Sequence, residues 1–163
     1  MSRVSSFPPI IDKKSCVLIL GSMPGGESLR KQEYYANVKN QFWKIIYALF
    51  DISPDNSYEK RIMFLKDKGI GLWDVMETCY RKGSLDSDIT KEKVNNFDSL
   101  FREFPNIKYV CFNGLKAFDT YQKKVGFNKD IIFERLESTS PANTMRFEDK
   151  LKNWMIIKTY LNS

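Results

Sequence analysis

Aromatic and amide side chains follow a glycine-rich turn near the start of the chain, and these residue types suit a planar ligand. The apolar run Val17–Leu20 ends in the turn Gly21–Gly26, and the pair Tyr34-Tyr35 and then Asn40 come shortly afterwards. Aromatic rings stack on planar bases, and amides pair with the polar edges of those bases. The segment therefore indicates a pocket for a ligand that resembles a nucleobase.

The sequence contains no histidine, which excludes several classes of catalytic site. A Ser-His-Asp triad, a Cys-His pair and an HExxH zinc site are all impossible. Proton transfer must therefore involve carboxyl groups, lysine, tyrosine, amides or the backbone. The acidic segment Asp86-Ser87-Asp88 is more typical of a polar loop than of a metal site, because ligand cages need converging side chains. We expect no bound metal.

Composition favours one globular domain over residues 1–163 with a polyanionic partner. The chain is 42% hydrophobic and carries a net charge of +6, so it can bury a substantial core and attract nucleic acid. A solvated basic surface would explain the same charge. The chain has three cysteines without a CxxC pair, which indicates reduced thiols and a cytoplasmic location. No apolar run approaches the ~20 residues of a membrane span.

Strands and helices alternate along the sequence. Apolar runs predict strands at Val17–Leu20, Ile70–Val75, Tyr109–Phe112 and Ile131–Arg135. Helical spacing and end signals predict helices over Asn40–Phe50, Tyr58–Lys68, Asn96–Phe104, Leu115–Lys124 and Phe147–Leu161. The segment Glu77–Lys93 has no clear period and is interpreted as an extended polar loop. The pattern predicts a three-layer α/β/α fold with a central, mainly parallel four-stranded sheet.

Ligand chemistry in such a fold lies at the carboxyl ends of the strands. The topology should therefore bring together four segments that are far apart in sequence. These segments are Gly21–Gly26, Trp73–Asp74, Asn113–Gly114 and Ser138–Asn143.

Two strings in these segments carry a resemblance to a known family. The pattern GSxPG, SL, YY and N-x-FW is matched by Gly21, Ser22, Pro24, Gly25, Ser28, Leu29, Tyr34, Tyr35, Asn40, Phe42 and Trp43. The second string, STSPAN, occupies Ser138–Asn143. Together they make the chain similar to the uracil-DNA glycosylase superfamily over Val17 to Lys158. The hypoxanthine-DNA glycosylase branch matches best.

The resemblance implies a monofunctional DNA glycosylase of base-excision repair. Such an enzyme hydrolyses the N-glycosidic bond of deaminated bases, here hypoxanthine first, with uracil and xanthine as further candidates. Met23 stands where uracil-specific members carry Asp and mismatch-specific members carry Asn, and methionine cannot polarise water. The hypoxanthine branch shares this departure, and its catalytic asparagine corresponds to Asn40. Asn is also a preferred helix cap, so a capping role for Asn40 competes with catalysis.

The resemblance also implies the residues that would bind the extruded base. These are Gly21, Ser22, Met23, Pro24, Tyr35, Asp74 and Asn113. Tyr35 would stack on the base, or else belong to the core. Asp74 would accept a hydrogen bond from a purine N–H, or else cap the following turn. Asn113 is equally suited to a turn.

A second group of residues would bind damaged DNA with its base flipped out. Phosphate contacts would come from Ser138 and Ser140, assisted by backbone N–H groups. The loop Pro141–Arg146 would enter the DNA, and Met145 or Arg146 would fill the vacated space because Ala142 is too small. Asn143 belongs to this loop. Further phosphate contacts, or ordinary surface charges, are Lys39, Arg81, Lys82 and Arg146.

The resemblance leaves two other functions open and implies no cofactor. Some superfamily members hold a [4Fe-4S] cluster, which needs four cysteines, and three are present. A catalytically silent nucleic-acid-binding domain would retain the same fold, and the protein would act as a monomer in either case. A small nucleotide-binding protein is disfavoured, because the sequence has neither GxGxxG nor GxxxxGK[ST].

Overall fold

The computed structural model describes residues 2–163, which form seven strands and seven α-helices. In chain order the strands are β1 (Ser2–Ser5), β2 (Val17–Gly21), β3 (Ile70–Asp74), β4 (Met76–Arg81), β5 (Thr90–Val94), β6 (Tyr109–Asn113) and β7 (Ile132–Leu136). The helices are α1 (Gly26–Lys31), α2 (Phe42–Ala48), α3 (Tyr58–Asp67), α4 (Phe97–Glu103), α5 (Leu115–Lys124), α6 (Phe147–Trp154) and α7 (Ile156–Leu161).

Strands β3, β2, β6 and β7, in that order, form a four-stranded sheet in which every neighbouring pair is parallel. Strand β2 is buried along its whole length, as a strand covered on both faces should be. Val17 and Ile19 pack with α2 and α6 on one face, whereas Leu18 and Leu20 pack with α4 and α5 on the other. The predicted three-layer α/β/α fold with four parallel strands is confirmed.

The structure contains a second sheet that the sequence does not predict. Strands β1, β4 and β5 form an antiparallel three-stranded sheet. The prediction of a polar loop over Glu77–Lys93 was therefore wrong, since this segment includes most of β4, a 3₁₀ turn at Asp86–Asp88, and most of β5. Strand β5 has the sequence TKEKV and no buried residue, so it has no apolar period to find.

The predicted helices are present with small differences at their ends. Helix α2 begins at Phe42, two residues after the predicted start. The long helix predicted over Phe147–Leu161 is divided at Met155 into α6 and α7, which bury Trp154 and Ile157 in the same core. Within residues 2–163, none of the helices combines the length and the apolar character needed to cross a membrane.

Candidate active site

A cavity of about 730 Å³ lies at the carboxyl ends of the parallel strands. Its volume is within the range of small-ligand sites. Members of all four predicted rim segments line it, which confirms that the topology brings them together. The lining comprises residues 21–28, Tyr34, Tyr35, Asn37, Lys39, Asn40, Asp74, Ser84, Leu85, Asp86, Asn113 and residues 138–143.

Gly21 allows two polar side chains to approach the first turn closely. A Cβ atom at this position would lie 2.6 Å from Asp74 Oδ1 and 3.0 Å from Tyr35 Oη. A side chain at this position would therefore collide with the carboxyl group. The absence of a side chain at Gly21 lets both oxygens lie close to the end of β2.

Asp74 ends β3 and is an unpaired carboxyl group in the cavity wall. The residue is 3% exposed, and its Oδ2 has no hydrogen-bond partner within residues 2–163. Burial and then the charge of Asp86 raise the pKa of Asp74 to about 7, against the lowering effect of Arg81. A buried polar group without a partner is costly. The free oxygen of Asp74 is therefore a group that a ligand could satisfy.

Tyr35 lines the cavity, and its aromatic ring packs against the core. Its ring stacks on Phe42 with 4.0 Å between the ring centroids and 17° between the planes. Its hydroxyl accepts a hydrogen bond from Asn113 Nδ2 at 3.1 Å, and burial raises the pKa of Tyr35. Phe42 and Trp43 are buried in the core.

Asn113 is committed to contacts within the protein. Besides Tyr35, its Nδ2 donates to Thr139 Oγ1 at 2.9 Å, and its Oδ1 accepts from Thr139 N at 2.9 Å. Both amide hydrogens are thus in use. The geometry makes Asn113 a group that positions Tyr35 and the loop around Thr139.

Asn40 caps helix α2, which is one of the two roles that the sequence left open, and it also lines the cavity. Its Oδ1 accepts a hydrogen bond from Phe42 N at 2.9 Å at the start of α2, which is a capping contact. Its Nδ2 donates to no group in the described part of the chain, and Asn40 lines the cavity. Once the oxygen has capped the helix, the side chain still offers two N–H donors.

Three backbone N–H groups of the loop Ser138–Asn143 donate hydrogen bonds within the loop. Ser140 N donates to Ser138 Oγ, and Ala142 N donates to Ser140 Oγ, each at 3.1 Å. Asn143 N donates to Ser140 O. These three N–H groups are therefore not free for phosphate, and the expectation that backbone N–H groups assist there does not hold for them. The hydroxyl hydrogens of Ser138 and Ser140 remain available.

The sequence profile of the Uracil DNA glycosylase superfamily matches residues 8–162 of the chain. The chain belongs to the uracil DNA glycosylase superfamily. Two relatives named Hypoxanthine DNA glycosylase are similar over nearly the whole length. The protein from Methanosarcina acetivorans is 38% identical over 151 residues, which are 91% of this chain and 93% of the relative. The protein from Methanosarcina barkeri is 36% identical over 156 residues, 93% of this chain and 96% of the relative.

A solved structure agrees with the superfamily assignment. The solution NMR structure of a candidate uracil DNA glycosylase from Methanosarcina acetivorans superposes with a TM-score of 0.84 at 34% identity. The superposition covers 99% of this chain and 100% of that chain. The resemblance therefore extends from the motif strings to the complete fold.

In this superfamily member, the tip of the antiparallel hairpin formed by β4 and β5 lines the cavity beside the two motif segments. The sequence does not predict this part of the site. Ser84 Oγ accepts a hydrogen bond from Gly26 N at 2.8 Å, and Asp86 Oδ1 accepts one from Ser22 Oγ at 2.7 Å. The hairpin tip is thereby fixed to the first motif. Recognising β4 as a strand would have placed the tip at this end of the fold, but its contacts depend on tertiary structure.

A buried lysine joins the two motif segments of the superfamily. Lys150 in α6 is 2% exposed, and its Nζ donates to Gln41 Oε1 at 3.0 Å and to Asn143 O at 2.8 Å. Gln41 N also donates to Thr139 O. Burial lowers the pKa of Lys150. These bonds hold the start of α2, beside Asn40, against the second motif loop.

The predicted phosphate contacts have different positions. Arg81 is 2% exposed, and its Nη2 donates to Pro24 O, so a surface phosphate contact for Arg81 is wrong. Lys39 is exposed and lines the cavity, and Lys82 is also exposed. Met145 and Arg146 are exposed before α6, outside the cavity lining. Arg146 Nε lies 3.1 Å from Asp149 Oδ2.

Proposed function

We propose that this protein is a DNA glycosylase that hydrolyses the N-glycosidic bond of deaminated bases, with hypoxanthine as the preferred base. The observation that carries the proposal is the unpaired Asp74 carboxyl group in the cavity wall. A neutral carboxyl offers one O–H donor and one C=O acceptor. Hypoxanthine offers the complementary pair, an O6 acceptor beside an N1–H donor.

The protonation state of Asp74 decides whether it can pair with both O6 and N1–H of the base. The raised pKa of about 7 keeps the carboxyl of Asp74 neutral in part at neutral pH, so it would donate to O6 and accept from N1–H. An ionised carboxylate only accepts hydrogen bonds and would face O6 with a second acceptor. Guanine shares O6 and N1–H with hypoxanthine, so rejection of guanine would depend on its additional N2 amino group and not on Asp74.

Tyr35 and Asn40 would act on the remaining parts of the flipped nucleotide. The ring of Tyr35, supported by Phe42, would form the stacking platform for the base. The free N–H groups of Asn40 would donate to the departing purine or to the attacking water. Gly21, Ser22, Met23 and Pro24 would enclose the base from the first turn.

The second motif loop would hold the DNA around the extruded base. The hydroxyls of Ser138 and Ser140 would donate to flanking phosphates, with Lys39 adding positive charge. Exposed Met145 and Arg146 would occupy the space that the base leaves. The three free cysteines suit a reducing cytoplasm, and we propose that the protein acts as a monomer.

A base-release assay tests the proposed function. The protein is incubated with matched oligonucleotides that contain inosine, uracil, xanthine or guanine at one position, and abasic sites are then cleaved with alkali. We expect cleavage at inosine and none at guanine. Binding to the inosine oligonucleotide without cleavage would instead support the silent nucleic-acid-binding domain.

Replacing Tyr35 with alanine should slow base release by tens-fold under single-turnover conditions, with enzyme in excess of the substrate but below saturation. Stacking of a base on an aromatic ring is worth about 1–3 kcal/mol. Tyr35→Phe is the matched control, because it keeps the ring and its contact with Phe42 and removes only the hydroxyl. Release by Tyr35→Ala at the parental rate, or equal losses in both variants, would contradict the stacking role.

A further inference from the structure

The proposed chemistry needs a proton acceptor that Asn40 cannot supply. Water that attacks the sugar carbon loses a proton, and an amide is not a base at neutral pH. The oxygen of Asn40 already accepts a hydrogen bond from Phe42 N, and the groups of its amide without a partner within residues 2–163 include both N–H donors. Met23 packs against Met76, Cys79 and Ile89 and has no acceptor for a proton.

Three carboxyl groups line the cavity within residues 2–163: Glu27, Asp74 and Asp86. Glu27 is paired with Arg30, whose Nε and Nη2 lie 3.2 and 2.8 Å from its two carboxylate oxygens. Asp74 is almost completely buried, and burial favours its neutral form. It is assigned to the base under the proposed function. Asp86 is the remaining carboxylate, and it is exposed to the water that must react.

We propose that Asp86 is the catalytic base that accepts the proton of the attacking water. This inference rests on the proposed function and deepens it by assigning a residue from outside the two motif strings. Within residues 2–163, Asp86 accepts one hydrogen bond, from Ser22 Oγ at 2.7 Å, so most of the lone pairs on its two oxygens are free. Ser22 belongs to the first turn, and both Ser22 and Asp86 line the cavity.

The hairpin tip holds Asp86 firmly enough for this task. Ser84 is bonded to Gly26 N, and Arg81 at the end of β4 is bonded to Pro24 O. With the bond between Ser22 and Asp86, three contacts join the hairpin to the first turn. The charge of Asp86 also contributes, after burial, to the raised pKa of Asp74 on the neighbouring wall. Asp86 and Asp74 therefore face the same cavity.

The step conserves atoms and charge. The bond between C1′ of the sugar and N9 of the purine breaks, and its electron pair stays with the purine. The water oxygen forms a new bond to C1′, and the proton that it loses passes to the Asp86 carboxylate. The purine anion takes up one proton from solvent, and Asp86 returns its proton to solvent. Before that transfer, the negative charge of Asp86 also stabilises the positive charge that develops on the sugar.

The test compares Asp86→Asn with Asp88→Asn in single-turnover release of hypoxanthine from an inosine oligonucleotide. Asp88 is in the same 3₁₀ turn, is exposed and does not line the cavity, so its variant makes the same charge change away from the site. We expect Asp86→Asn to lose about 100-fold in rate, within the usual range for general base catalysis. Asp88→Asn should match the parent. The melting temperature and the DNA affinity of both variants should stay close to those of the parent.

Rescue by a diffusible carboxylate distinguishes a role of Asp86 as proton acceptor from a purely structural role. Asp86→Ala leaves space beside Ser22, and added sodium formate should restore part of its rate, whereas the same concentration of sodium chloride should not. Asn40→Ala should gain nothing from formate. Parental rates in Asp86→Asn, or a loss in Asp86→Ala that formate does not relieve, would overturn this inference alone. A parent that binds inosine DNA and releases no base would overturn the proposed function as well.

Discussion

Replacing Asn40 with alanine is expected to lower single-turnover release of hypoxanthine by about 100- to 1,000-fold, as for other lost donors to developing negative charge. The free N–H groups of Asn40 would act on the departing purine or on the water, so the loss belongs to the transition state. Affinity for inosine DNA should change little, because a contact of this kind affects turnover more than ground-state binding. Base-release time courses and DNA titrations measure the two effects separately.

Two further variants separate the catalytic role of Asn40 from its capping role. Asn96→Ala removes a comparable cap, since Asn96 Oδ1 accepts from Ser99 N at 3.0 Å at the start of α4 and lies outside the cavity lining. It should cost about 1 kcal/mol of stability and no activity. Asn40→Asp keeps an acceptor for Phe42 N but loses the donors, so it should be as slow as Asn40→Ala. Full activity in Asn40→Ala would show that Asn40 only caps helix α2 and has no catalytic role.

Replacing Asp74 with alanine should lower hypoxanthine release by about 100-fold, because two hydrogen bonds to the base are lost at about 1–1.5 kcal/mol each. The parent should release hypoxanthine fastest below pH 7 and lose rate as the pH rises through about 7, where Asp74 ionises. Asp74→Asn keeps one donor and one acceptor and cannot ionise. It should therefore retain activity and lose this part of the pH dependence, measured as single-turnover rates from pH 5.5 to 8.5.

The substitution Asp74→Asn should also change the stability of the protein in a way that does not depend on DNA. The pKa of Asp74 rises from 3.8 to about 7 on folding, so the folded state binds the proton more tightly than the unfolded state. The stabilisation is complete below pH 4 and is lost as the pH rises to about 7, at a cost of up to about 4 kcal/mol. Asp74→Asn should raise the melting temperature more at pH 8 than at pH 5. Asp88→Asn, which changes an exposed carboxylate, should shift the melting temperature equally at both pH values.

The sequence by itself determined the parallel sheet and the location of the site. Runs such as Val17–Leu20 and Tyr109–Phe112 are apolar because both faces of a central strand are covered, and this signal is local. Parallel strands place their carboxyl ends on one edge of the sheet. The order of the strands and helices along the chain therefore predicted which segments line the cavity at that edge. The two motif strings, which include Asn40 and Ser138–Asn143, identified the superfamily.

Tertiary structure alone decided which polar groups are paired and which are free. Lysine and arginine are usually surface residues, yet Lys150 and Arg81 are both buried. Each donates a hydrogen bond to a segment far away in sequence, Lys150 to Gln41 and Arg81 to Pro24. The polar strand β5 is stabilised by pairing with β4, and no local pattern predicts that pairing. The hairpin tip carries Asp86 to Ser22 across 64 positions of sequence. Burial and long-range hydrogen bonds depend on the whole fold, so the chemistry of Asp74 and Asp86 could not be derived from sequence spacing.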